Sequence, residues 1–112
     1  MAHPYLEELR QLLFDVGLED SDNVCKHFFS GAAGYTGGKI FVSLTPKGLA
    51  FKLPESRCEK LLSKGPAEPL RYFDKSPVKR GYVLFPAYKD MKKSELKQYF
   101  LESKSAADQN AA

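Results

Sequence analysis

Gly31, Gly34, Gly37 and Gly38, followed by Lys39, form the first group in this sequence whose spacing invites chemistry. Such a run could cradle a phosphate on backbone N–H groups, with the lysine reaching the terminal oxygens. The spacing rejects it. A phosphate loop ending in Gly38-Lys39 needs glycine at position 33 and Ser or Thr at position 40, where the chain has Ala33 and Ile40. The loop must also open a helix, whereas Ile40-Phe41-Val42-Ser43-Leu44 has β-branched and aromatic residues at strand density. Gly-x-x-Gly-x-x-Gly is not the dinucleotide-binding pattern either. The glycines therefore read as backbone devices. Gly37-Gly38 makes a tight hairpin turn, and Gly31 and Gly34 permit a bulge or the close approach of a helix.

Cys25-x-His27 offers two metal ligands, or a nucleophile and a base. Zinc wants three or four ligands, and the only other histidine, His3, stands near the start of an expected helix. On a strand, positions 25 and 27 point in parallel, and no acidic residue orients the imidazole. Cys25 and Cys58 are expected as free, packed thiols in a reducing compartment. Ser30, Ser43, Ser56 and Ser63 lack the context of a nucleophile elbow. No catalytic residue, cofactor site or metal site is expected, and the chain reads as a non-enzyme.

The stretch from Arg71 to Lys97 is different in kind. Eight cations stand there against three acids, interleaved with Tyr72, Phe73, Tyr82, Phe85 and Tyr88. Such mixtures stack bases and track phosphates. Yet Tyr72, Tyr82 and Phe85 fall on expected strands, where a core needs them. A sequence pI of about 8.8 is also mild for a nucleic-acid module. A solvated basic face is the favoured reading. If the stretch binds a partner or nucleic acid, Arg71, Lys79 and Arg80 are the candidates, because the loop there projects beyond the sheet. Residues 1–25 are the acidic counterpart, with six carboxylates against Arg10.

The elements that must position these groups follow from pattern. Leu6, Leu9, Leu13 and Val16, with Leu12, make one face of a helix over Pro4–Val16, and Gly17 suits its left-handed cap. Val24–Phe29 alternates weakly, as a first strand or an extended lead-in. Ala32–Thr36, Ile40–Leu44 and Leu49–Leu53 read as strands, with Thr45-Pro46-Lys47-Gly48 turning between the last two. A second helix runs from Pro54 to Gly65-Pro66, burying Cys58, Leu61 and Leu62. Leu70–Phe73 and Gly81–Phe85 are the last strands. Ser94 caps a final helix through about Ser103, with Leu96, Tyr99 and Phe100 inward. The expectation is one α+β domain over residues 1–104, an antiparallel sheet covered by helices in the order α-β(3)-α-β(2)-α. Residues 105–112 are expected as a disordered tail. The first residues lack a signal peptide's basic head and apolar stretch, and no apolar run is long enough to span a bilayer. A cytoplasmic chain is expected.

Several strings together resemble the N-terminal domain of the TfoX/Sxy family of competence regulators. They are Phe29-Ser30-Gly31-Ala32-Ala33 leading to Tyr35, Gly38-Lys39-Ile40-Phe41-Val42 and Leu49-Ala50-Phe51-Lys52-Leu53. Leu70-Arg71-Tyr72-Phe73 and Gly81-Tyr82-Val83-Leu84-Phe85-Pro86 complete the set, over roughly Tyr5–Ser103. The family usually has glycine where this chain has Ser30. The resemblance implies a fold similar to the secretion-chaperone class, in which dimers are common, and a role without catalysis. The first expectation is therefore a regulatory or protein-interaction domain, a transcriptional accessory with a protein partner, dimeric through its sheet or a helix face. The alternative is a nucleic-acid-binding regulator using the basic 71–97 region. An enzyme or small-ligand carrier around the glycine-bearing strands ranks third. Elemental analysis of the purified protein is expected to find no stoichiometric zinc, and His27→Ala to leave that result unchanged.

Overall fold

A computed structural model describes residues 4–18, 23–28, 30–65, 67–71, 77–78 and 80–109. Helix α1 (Tyr5–Asp15) buries Leu9 and Leu13, and Val16 behind them, as the leucine spacing predicts. It ends in a Schellman motif. Gly17 turns left-handed at φ +77°, its N–H bonds to the Phe14 carbonyl at 3.0 Å, and the Leu18 N–H bonds to Leu13 at 2.8 Å. Leu18 then folds back against the core.

Four strands follow: β1 (Asn23–Phe28), β2 (Gly31–Thr36), β3 (Lys39–Thr45) and β4 (Gly48–Lys52). Helix α2 (Glu55–Lys64), the short β5 (Glu68–Pro69) and β6 (Tyr82–Phe85) come next. A 3-10 turn (Tyr88–Asp90) and helix α3 (Lys93–Gln109) close the chain. All strands pair antiparallel in one sheet of order β1-β2-β3-β4-β6-β5, so the class is the α+β sheet with helical cover that was expected. The weakly alternating stretch after Asn23 is a full strand, making four before α2 instead of three.

Paired residues share a face, which sorts the sheet. Ala32, Val42, Leu44, Leu49, Phe51, Val83 and Phe85 line the side that α1 and α3 cover. Phe51 is the hub. Its ring meets Phe100 edge-on at 4.9 Å and Phe85 at 5.9 Å, and Tyr99 lies 5.7 Å away. Helix α2 adds Cys58 and Leu61 to the same core and is tied to α3 by an ion pair, Arg57 Nε to Glu102 Oε1 at 3.0 Å. On the opposite face Ala33, Ser43, Ala50 and Leu84 form one row across four strands, with Leu70 packed beside Ala50, Tyr82 and Leu84.

The glycines serve backbone geometry, with one difference from expectation: the close neighbour is a strand, not a helix. A Cβ on Gly34 would sit 2.8 Å from the Val42 side chain and 3.3 Å from the Phe41 ring. The register shifts there, Gly34 pairing with Val42 and Tyr35 with Ile40, so Phe41 has no partner across the ladder. That bulge places Phe41 and Val42 together in the core. Gly37 and Gly38 turn at φ +56° and +79°, as a two-residue hairpin demands.

Three expectations need correction. The strand read at Leu70–Phe73 lies instead at Glu68–Pro69, and Tyr72 and Phe73 fall outside the described residues. Proline is admissible there because β5 is an edge. Helix α3 begins at Lys93, with the Glu95 carboxylate accepting from the Lys92 N–H at 3.4 Å, so Ser94 lies inside the first turn instead of capping it. The chain after Ser105 is helical through Gln109, not a frayed tail. Phe100, Ser103, Ala106 and Ala107 continue the buried stripe, Ala107 at 0% exposure, and packing overrides the polar composition. No helix among the described residues is long and apolar enough to cross a membrane.

Gly48 is the most demanding backbone position. It adopts φ +136°, and a Cβ would lie 2.7 Å from the Phe85 carbonyl oxygen, backbone that cannot swing away. Gly48→Ala is therefore expected to cost about 2–4 kcal/mol in urea unfolding, by strain and strand separation together. Gly37→Ala, with open space around it, is expected to cost about 1 kcal/mol.

Candidate interaction surface

The two ends of the sheet are unlike. At one end β5 is only two residues long, one of them Pro69, which has no N–H to offer a further strand. At the other end β1 runs for six residues without Gly or Pro. Its Val24, Lys26 and His27 are exposed, Val24 to 47%. An outermost strand directs alternate N–H and C=O groups away from its sheet, and these can pair with added chain. Val24, Lys26 and Phe28 share one face of β1, and Cys25 and His27 share the other, which α1 overhangs. The Lys26 ammonium stands 5.6 Å from the centre of the Tyr35 ring, so its stem lies along the sheet face.

Cys25 and His27 stand as the spacing said, on one side of the strand, and build no site. Cys25 is half-buried and burial pushes its thiol up, with Arg10 pulling weakly the other way. His27 is exposed. Cys58 is buried, its thiol raised by burial and donating to the Leu53 carbonyl at 3.5 Å. Neither cysteine is in a disulfide. Among the described residues no three His, Cys, Asp or Glu side chains gather as metal ligands. Ser43 is buried between Ala33 and Ala50 with its hydroxyl unpartnered, while Ser30, Ser56 and Ser63 are exposed.

Of the basic candidates, Arg71 follows β5 and Arg80 precedes β6, and the antiparallel pairing of Pro69 with Val83 brings both to one end of the sheet. Arg71 is exposed just after β5, and Lys79 lies outside the described residues. Arg80 is exposed at the entrance to β6, with Nη2 3.7 Å from the Glu55 carboxylate at the start of α2. So solvated a pair contributes little and does not lock the guanidinium. Tyr82, Phe85 and Tyr88 are buried in the cores, which takes them away from base stacking. Lys89, Lys92, Lys93 and Lys97 are exposed along the 3-10 turn and α3.

One contact was invisible in the sequence because its partners are far apart in the chain. The Tyr88 hydroxyl donates to the Glu8 carboxylate, fastening α1 to the turn before α3. Beside it Leu12, Val16, Met91 and Leu96, with Lys89 and Lys93, line a cleft of about 260 Å³. That is below the usual size of a ligand pocket.

Comparison of the chain with models of known families, with curated proteins and with solved structures gives no match.

Burial raises the Tyr88 phenol well above its ordinary value of 10.0, and the hydrogen bond and charge of Glu8 raise it further. A raised acid favours folding fully below its unfolded value and loses that contribution as pH climbs through the folded one. Tyr88→Phe is expected to cost about 1 kcal/mol at neutral pH. It should also flatten the loss of stability expected of the native chain above pH 10, read from urea midpoints across that range.

Proposed function

We propose that this chain is a non-enzymatic regulatory domain that acts by protein–protein contact, using β1 as a strand that a partner extends. The observation that supports the reading is the inequality of the sheet ends, an outermost strand of six residues against a two-residue strand stopped by proline. Strand addition takes its affinity from main-chain hydrogen bonds and its selectivity from alternate side chains. On β1 those side chains are an exposed valine and lysine on one face and an exposed histidine on the other.

The resemblance to the N-terminal domain of TfoX/Sxy regulators supports the same class. It points to a cytoplasmic accessory of transcription that works through a protein partner and self-association. The runner-up, direct nucleic-acid binding through Arg71, Lys79 and Arg80, is less supported because Tyr82 and Phe85 are in the core and not free to stack on bases, while Tyr72 and Phe73 lie outside the described residues.

Of the neighbours Cys25 and Lys26, one directs its N–H outward, since successive groups along a strand alternate. Of Cys25→Pro and Lys26→Pro, the variant that keeps the native circular dichroism is the one that blocks the edge alone. Immobilised native protein is expected to capture a discrete protein from extract of its own cell, and that variant to lose it. Duplex DNA is expected to show no affinity that falls steeply between low and high salt. Capture unchanged by the proline, or salt-sensitive DNA binding weakened by Arg80→Ala, would reject the reading.

A further inference from the structure

We infer that the chain added to β1 is β1 of a second copy, in an antiparallel register centred on Cys25. The inference rests on the reading of β1 as a pairing edge and names its occupant.

A two-fold axis normal to the sheet would join the two copies edge to edge, with residues on the same face opposite one another. Strand parity then allows only registers centred on a residue. Four of these engage three or more residues of β1, and their extent and side chains separate them; centred on His27, the register engages only Lys26, His27 and Phe28. Centred on Lys26, the register sets the two ammonium groups directly opposite each other, a repulsive pair in the middle of the ladder. Centred on Val24, it engages only Asn23, Val24 and Cys25 of the strand. Centred on Cys25, it engages the five residues Asn23–His27 and opposes no like charges. Val24 then faces Lys26 of the second copy, twice. The aliphatic stem of each lysine would cover a valine that is 47% exposed in the single chain. Asn23, whose amide donates to the Leu18 carbonyl of its own copy, faces His27, and Cys25 faces itself.

The far end of the sheet limits the assembly. Because β5 is closed by Pro69, edge-to-edge addition stops at two copies and does not propagate into a fibre. The interface is isologous, the commonest symmetry for self-association.

Val24 tests the register because it is exposed and its replacement leaves the core intact. Sedimentation equilibrium of the native chain is expected to show a monomer–dimer equilibrium in the micromolar range. Val24→Lys places two new like-charge pairs across the axis and should weaken the dimer roughly ten-fold, while Val24→Glu should tighten it by a similar factor. The double variant Val24→Lys with Lys26→Glu should recover the native constant or better. A native chain that stays monomeric at high micromolar concentration overturns the inference. So does a dimer that Val24→Lys and Val24→Glu shift in the same direction. A monomeric chain that still loses its cellular partner on proline substitution in β1 would remove the second copy and leave the edge-pairing function standing.

Discussion

Phe51 is the contact on which the rest of the molecule depends. It sits at 0% exposure on the central strand β4, where rings from β6 and α3 converge on it. Beside it β4 and β6 are paired, and at Gly48 a methyl group would strike the Phe85 carbonyl. The arrangement fixes where the helices go. With α3 over β3 and β4 and α1 over β1, β2 and β3, the apolar cover is centred on the middle of the sheet. Among the described residues, the two outer strands are finished differently, one carrying a proline and the other neither proline nor a further strand.

The distribution of charge and aromatic surface fits that picture better than it fits a catalytic centre or a nucleic-acid platform. The aromatic residues described in the basic stretch serve packing: Phe85 beside Phe51, Tyr88 as a clasp to α1, Tyr82 against Leu70 on the opposite face. The lysines of α3 stand on its outer turns and keep a long helix solvated while Leu96, Phe100 and Ala107 are buried beneath. Neutral burial raises both thiols, the reverse of what an activated cysteine requires.

Most of the architecture was legible from local pattern. The leucine stripe of α1, its glycine cap, both tight turns and the alternation of Leu49, Phe51 and Leu53 are short-range signals, and each was realised. What could not be read arises from longer range. The position of β5 depends on where the connector meets β6, and aromatic-rich Leu70–Phe73 had the stronger strand propensity. The end of α3 was hidden because Ser103, Ala106 and Ala107 look like tail composition until a sheet lies beneath them. The bulge at Phe41 leaves no mark beyond a glycine, and the Glu8–Tyr88 clasp none at all. Strand β1 was half visible, as weak alternation in a stretch otherwise readable as a lead-in. Only the sheet order reveals that it is outermost.

The central claim, that β1 is the edge through which this domain pairs, is tested most directly by amide hydrogen exchange at two protein concentrations. The account predicts that the outward-facing amides between Asn23 and His27 exchange rapidly in dilute solution and slow markedly when the protein is concentrated. Amides of β3 and β4 should be equally protected in both. Exchange in β1 that is independent of concentration, with protection appearing instead on a helix face, would contradict it.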